Sequence, residues 1–194
     1  VYKKTGYYKA VILVPTITLV NQWENECKRF RFNNIIKVYS KRPKWKSDIE
    51  SLHLQERIYG GEDKVSYVVI ATYASFAKDG AFDLLNSLSS RAMFIADEAH
   101  NMGSGGIRKK LPMIRYKRRI GLSATPDRQY DDAGNNALLK FFDAEEKYTY
   151  EYSMKEAIEK GVLCRYQYYP HIVRLTDGEM IEYNELSKQI AKYC

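Results

Sequence analysis

Ala92-Met93-Phe94-Ile95-Ala96-Asp97-Glu98-Ala99-His100 sets two adjacent carboxylates and a histidine directly behind an apolar run. Residues 92–96 read as a buried strand. Neighbouring acids repel one another, so a pair at the end of a buried strand calls for something positive to neutralise it. A magnesium ion does so by taking Asp97, directly or through water, while Glu98 polarises an attacking water. The competing reading of these residues is a solvated acidic turn carrying an ordinary histidine.

Working outward, the chain alternates apolar runs with amphipathic stretches. Residues 8–14, 35–39, 65–71, 92–96, 119–122 and 148–152 read as strands, the first ended by Pro15. Residues 16–29 read as a helix, with Leu19, Val20, Trp23 and Cys27 at helical spacing. Residues 47–59 are helical until Gly60-Gly61, and 76–87 are helical with an interruption at Gly80. A short helix over 154–160 is capped by Gly161, residues 166–175 are extended, and 179–193 are helical. Strands separated by helical stretches imply an α/β fold with a mainly parallel sheet covered on both faces. Such sheets place their chemistry in the loops at the carboxyl ends of the strands.

The fifth strand is followed by Gly121-Leu122-Ser123-Ala124-Thr125-Pro126-Asp127-Arg128. Its two hydroxyls at i and i+2 can hydrogen-bond a neighbouring carboxylate or histidine. Taken alone this is an ordinary turn composition. Paired with Asp97-Glu98-Ala99-His100, it resembles motifs II and III of superfamily 2 helicases and translocases. Pro15-Thr16-x-x-Leu19-Val20-x-Gln22-Trp23 resembles motif Ia of that superfamily, and Ala71-Thr72-Tyr73-x-Ser75 resembles motif Ib. The four motifs stand in the family's order across residues 8–128. Residues 121–128 resemble the restriction-helicase group, which includes type III restriction subunits and related repair and phage helicases. Tyr152-x-x-x-Glu156-Ala157-Ile158-x-x-Gly161-x-Leu163, Tyr168-Tyr169-Pro170 and Leu175-Thr176 agree with that group. Chromatin-remodelling translocases and DEAH-type RNA helicases share the acidic tetrad but differ in the third motif.

The resemblance implies a RecA-like P-loop NTPase fold, ATP hydrolysis with magnesium and movement along DNA, RNA being the weaker alternative. By position match, Asp97 holds magnesium and Glu98 is the general base. His100 then couples the nucleotide site to Ser123 and Thr125. Motifs Ia and Ib imply contacts to the backbone of one nucleic-acid strand from Pro15, Thr16, Gln22, Thr72, Tyr73 and Ser75. Thr16 also has the residue type of a helix N-cap, and the two roles are compatible. No Gly-x-x-x-x-Gly-Lys-Ser/Thr occurs in the chain, so the phosphate-cradling Walker A loop is absent. The expectation is a piece of a longer motor. Residues 1–152 form motor domain 1 without its phosphate-loop strand, and 153–194 lead toward a missing second motor domain. This piece alone is expected to lack ATPase activity and to hold no tightly bound cofactor. The removed strand is expected to leave a rearranged sheet, or an open edge prone to dimerisation. Two alternatives stand beside the motor: a DNA-binding module without catalysis and a subunit of a restriction enzyme. A magnesium-dependent nuclease built on Asp97 and Glu98 lacks the further dispersed carboxylates and lysine such sites use.

Composition bounds the rest. The 194 residues carry 31 basic and 24 acidic side chains, a net charge of +7, which permits a polyanionic partner without requiring one. The excess concentrates at 41–46, around Trp45, and at 108–119, each readable as a nucleic-acid-facing patch or as ordinary surface. Apolar runs such as 11–14 fall far short of the ~20 residues of a membrane span. Cys27, Cys164 and Cys194 have no short spacing, which argues against a disulfide framework or a zinc knuckle. With no signal peptide in view, the expected location is cytoplasmic or nucleoid-associated. His53 and His171 stand outside any constellation.

Overall fold

Strand β1 (Lys9–Val14) is buried along nearly its whole length and pairs on both sides, which puts it at the centre of a sheet. The computed structural model describes residues 6–59, 65–144 and 148–191. The remaining strands are β2 (Ile35–Val38), β3 (Tyr67–Thr72), β4 (Met93–Asp97) and β5 (Arg118–Leu122). They form one parallel sheet in the order β2-β3-β1-β4-β5. The α/β class and the parallel sheet are those expected. The register aligns Val14 with Thr72 and Asp97 with Leu122, so the carboxyl ends of neighbouring strands lie side by side.

Helix α1 (Ile17–Arg29) starts at Thr16, whose hydroxyl accepts from the Leu19 amide at 3.3 Å, and ends with Lys28 and Arg29 in its last turn. Both features suit the helix dipole and its unpaired end groups. Its Val20 and Cys27 bury against one face of the sheet with Ile12, Val14, Val68 and Ile70. The opposite face carries the larger core. Helix α2 (Trp45–Ile58) supplies Trp45, Ile49 and Leu52 to it. Short α3 (Tyr73–Phe76) and α4 (Asp79–Asn86) add Tyr73, Phe76, Phe82 and Leu85. A four-residue α5 (Gly105–Arg108) and α6 (Asp132–Phe142) complete that layer with Ile107, Leu138 and Phe141. Phe94 of β4 is the hub, stacked on Tyr116 at 5.4 Å and edge-on to Phe141 at 5.9 Å.

Several expectations change. No strand forms at 148–152. Alternating tyrosines favour extended backbone, but a strand also needs a partner; the Tyr150 and Tyr152 rings stack on each other instead. Helix α6 was not foreseen, because Gly134, Asn135 and Asn136 mask its apolar spacing. Gly80 does not interrupt a helix: it lies in the first turn of α4, where amides lack intrahelical partners anyway. The break falls instead at Ala77 and Lys78. Trp45 is buried, so it packs in the core and is no stacking platform. The basic run 108–119 is neither one helix face nor one open patch. Lys110 is buried and paired with Asp79, Arg108 pairs with Asp131, and Arg119 lies over Phe141 while donating to three carbonyls. Lys109, Arg115, Lys117 and Arg118 remain exposed. The helix stop expected at Gly60-Gly61, the end of the last helix at 192–193, and Cys194 lie outside the described residues.

The chain divides into two compact units, Val1–Thr149 and Tyr150–Cys194. The second contains α7 (Met154–Glu159), capped by Ser153 and followed by Gly161 at φ +70, the left-handed stop expected there. It also contains α8 (Asp177–Ala191), started by reciprocal hydrogen bonds between Thr176 and Glu179. Among the described residues no helix is long and apolar enough to cross a membrane.

Candidate active site at the carboxyl ends of the strands

Asp97 is the last residue of β4, and Glu98 turns the chain out of the sheet. Glu98 adopts the left-handed conformation, φ 53 and ψ 55, which costs a non-glycine residue about 1–2 kcal/mol. Asn101 offsets part of that cost: its side-chain amide and its backbone amide both donate to the Glu98 carbonyl, at 2.9 and 3.0 Å. A tight 3-10 turn over Ala99–Gly103 then carries His100 back toward β5.

His100 Nδ1 lies 3.1 Å from the Ser123 hydroxyl and 3.5 Å from a Glu98 carboxylate oxygen. Ser123 follows β5 and also accepts from the Thr125 amide at 3.2 Å. The structure therefore joins Glu98, His100, Ser123 and Thr125 into one chain of contacts across the ends of two adjacent strands. The Thr125 side chain itself is exposed and makes no contact with His100 among those described.

Two groups that sequence reasoning did not assign to this site hold Asp97. The Trp23 indole N–H donates to Asp97 Oδ2 at 2.8 Å, and the Tyr73 hydroxyl donates to the Asp97 carbonyl at 2.8 Å. Burial, reinforced by the negative charges of Asp97 and Glu98, pushes the Tyr73 phenol well above its ordinary range, so it remains a neutral donor. Trp23 reads as an apolar residue on the helix stripe and as the last residue of the stretch resembling motif Ia, and neither reading places its N–H on Asp97.

A second unforeseen assembly fastens the loop after β5. Arg128 donates to the His100 carbonyl and to Asp131, both at 2.8 Å. Asp131 also accepts from Arg108 and from the Gly134 amide. The bond from Arg128, then the Gly134 N–H, holds the Asp131 carboxyl below its usual range. Gly103 makes room for this clasp: a Cβ there would come within 2.6 Å of the Arg128 side chain.

The residues assigned to strand contacts divide. Pro15, Thr72 and Ser75 line a groove of about 170 Å³ together with Tyr39, Ser40 and Lys78. Thr72 and Ser75 are buried, and their hydroxyls are hydrogen-bonded to each other at 3.0 Å, capping α3. Thr16 is exposed at the start of α1. Tyr73 is buried in the core with its hydroxyl on Asp97, and Gln22 lies exposed on α1 away from the groove lining.

Among the described residues no group of three or more His, Cys, Asp or Glu side chains could cage a metal. What stands here is one carboxylate with one oxygen occupied by a protein donor and a second carboxylate beside it. That donor set suits magnesium, which keeps several waters and binds through one or two carboxylates plus substrate phosphates.

Known proteins bear on this geometry. The chain is 26% identical over 94% of its length to the DNA 3'-5' translocase XPB2 of Sulfurisphaera tokodaii, spanning 35% of that protein. It is 30% identical over 64% of its length to the putative DNA 3'-5' helicase Rad25 of Haloarcula marismortui, spanning 17% of it. The fold is similar to that of a nuclease-deletion mutant of the type ISP restriction-modification enzyme LlaGI, solved in complex with a DNA substrate mimic. The match has a TM-score of 0.53 at 20% identity and covers 82% of this chain and 16% of that one. The family model of the type III restriction enzyme res subunit matches residues 1–128, more than half of the chain, and together with the four ordered motifs and the parallel sheet this places the protein in that family.

Proposed function

We propose that this chain is part of an ATP-driven DNA translocase or helicase and contributes the carboxylates that hold magnesium and activate water. The observation that carries the reading is the contact chain from Glu98 through His100 to Ser123, set beside Asp97 at the ends of β4 and β5. The names of the relatives, a DNA 3'-5' translocase and a putative DNA 3'-5' helicase, support the same reading. The LlaGI neighbour and the family description leave room for a restriction-enzyme subunit as the setting of that motor.

In this reading Asp97 binds magnesium directly or through a water. When bound, the ion supplies neutralisation of the nucleotide phosphates and polarisation of a water. Glu98 takes the proton of the attacking water on its carboxylate. His100 faces that carboxylate and the Ser123 hydroxyl with the same Nδ1, so a change at the nucleotide that alters one contact is passed through the other to the loop after β5. Phosphoryl transfer depends mainly on positioning and electrostatics, and the phosphate cradle is as necessary as the carboxylates. With no Gly-x-x-x-x-Gly-Lys-Ser/Thr among its 194 residues, the chain alone is expected to show no magnesium-dependent ATP turnover. The cradle and a second motor domain of the proposed enzyme then come from sequence outside these residues.

The groove lined by Pro15, Thr72, Ser75 and Lys78 is the proposed seat of one DNA strand's backbone, with Thr16 at the adjoining helix start. The outer edge of β5, where Ile120 and Leu122 are exposed, is the proposed pairing edge for a further strand or a second copy.

The deciding experiment is Glu98→Gln in the complete motor. DNA-stimulated hydrolysis is expected to fall about 10²–10⁴-fold while ATP binding persists. Retained hydrolysis would remove Glu98 as the base. For the groove, Lys78→Glu is expected to weaken DNA binding irrespective of sequence and to lower the salt slope by about one.

A further inference from the structure

Asp97 is held from both faces of the sheet. Trp23 comes from α1, in the smaller core on one face, and Tyr73 comes from α3, in the larger core on the other. One fixes a carboxylate oxygen and the other fixes the backbone carbonyl of the same residue, each at 2.8 Å. Both helices begin at the residues proposed to meet DNA: Thr16 caps α1, two turns before Trp23, and Thr72 caps α3, one residue before Tyr73.

We propose that Trp23 and Tyr73 are positioning residues for Asp97, holding it from opposite sheet faces so that Oδ1 is presented to a hydrated divalent cation. This rests on the motor reading above. The chemistry of the donors supports it. A carboxylate that binds a hard cation through one oxygen keeps its orientation only if the other is fixed, and outer partners of this kind typically govern metal affinity by 10–100-fold. An indole N–H is a donor only and carries no charge. It orients Oδ2 without neutralising the carboxylate, whereas a lysine or arginine at that place would compete with the cation. Among the described residues Oδ2 takes the only donor recorded on this side chain, which leaves Oδ1 for a cation. The same bonds tie the metal-binding residue to the two helices facing the proposed DNA groove, so strand binding that shifts either helix alters how Asp97 is held.

The first test uses the ¹⁵N-labelled 194-residue chain and Mn²⁺ alone as the paramagnetic probe. The chain has two tryptophans, Trp23 and Trp45, and Trp45 lies at the start of α2 in the larger core. The Trp23 indole N–H resonance, identified by its loss in Trp23→Phe, is expected to broaden at metal concentrations that leave Trp45 sharp. Equal broadening of both, or of neither, overturns the proposal. The second test is kinetic, in the complete motor. Trp23→Phe keeps a ring but loses the donor, and is expected to raise half-saturating magnesium about tenfold. The kcat at saturating magnesium should fall less than about threefold, and Tyr73→Phe should act in the same direction but less strongly. An unchanged magnesium requirement, or a kcat loss that magnesium does not rescue, overturns the positioning role. Glu98→Gln separates the two readings. If it abolishes hydrolysis while Trp23→Phe leaves the magnesium requirement unchanged, only the positioning role falls. If it retains hydrolysis, the motor reading falls and the manganese result alone decides Trp23.

Discussion

The loops after β4 and after β5 leave neighbouring parallel strands at the same end of the sheet, yet they are held by different means. The β4 loop is anchored by the core: Phe94 and Ala96 are fully buried behind it, and Trp23, Tyr73 and Asn101 fix Asp97 and Glu98 directly. The β5 loop follows an edge strand on which Ile120 is 39% and Leu122 43% exposed. It is fastened by polar contacts: His100 to Ser123 and Arg128 to the His100 carbonyl reach across to its neighbour, and Arg128 also bonds Asp131 and Asn135 at the start of α6. Asp97 and Glu98 are thus built into the packing, whereas residues 123–128 are attached through separable polar bonds. A loop secured that way can change position without unfolding the sheet.

The strands beneath the two loops should differ most in what they contribute to stability. Phe94→Ala is expected to cost about 3–5 kcal/mol in urea denaturation, and Ile120→Ala on the edge strand less than about 1 kcal/mol. Similar losses at the two positions would mean β5 is as well anchored as β4. Next comes the clasp. Arg128→Met removes two charge-assisted bonds and is expected to cost about 2 kcal/mol. Hydrogen exchange should then quicken at 123–128 while the amides of 97–101 stay protected; matched deprotection would show the loops to be one unit. Gly103→Ala crowds the same arginine and is expected to cost about 1 kcal/mol, mostly lost in the Arg128→Met background because the two changes act on one contact.

The folded-state pKa of Asp131 lies below its unfolded value, so its contribution is present above the ordinary carboxylate pKa of ~3.9 and is lost as pH falls through the depressed folded value. The stability difference between the unaltered chain and Asp131→Asn should therefore be constant near neutrality and shrink in acid. A difference that grew in acid would contradict the assignment. The smallest effect belongs to Ser123→Ala, less than about 1 kcal/mol in the same melts, because its bond to His100 is only partly shielded from water.

Much of this was legible because it is local. The five strands of the sheet, α1 and the tight stop at Gly161 follow from apolar runs, a threonine cap and a glycine. Asp97, Glu98, His100 and Ser123 stood out as polar groups at strand ends. What escaped reading depends on partners far along the chain. Trp23 is 74 positions from Asp97, and nothing in its helical spacing says that its N–H leaves the apolar stripe to meet a carboxylate. Arg108, Lys110 and Arg119 counted as surface charge because a sequence shows charge but not the Asp131, Asp79 and carbonyl oxygens that take it up. The tyrosines at 148–152 had the alternation of a strand without the neighbour that makes one.

Sequence alone therefore determined the parallel α/β sheet, the order of the motifs and the identity of the candidate site side chains, since periodicity and residue chemistry are written into the chain. Tertiary structure decided which of those side chains meet. It decided that Asp97 is gripped from two faces, that Tyr73 turns inward to serve it, and that Arg128 passes over Gly103 to tie one loop to the next. Hydrogen bonds of 2.8 Å between residues dozens of positions apart exist only once the strands have fixed their register, and no pattern of neighbours along the chain encodes them.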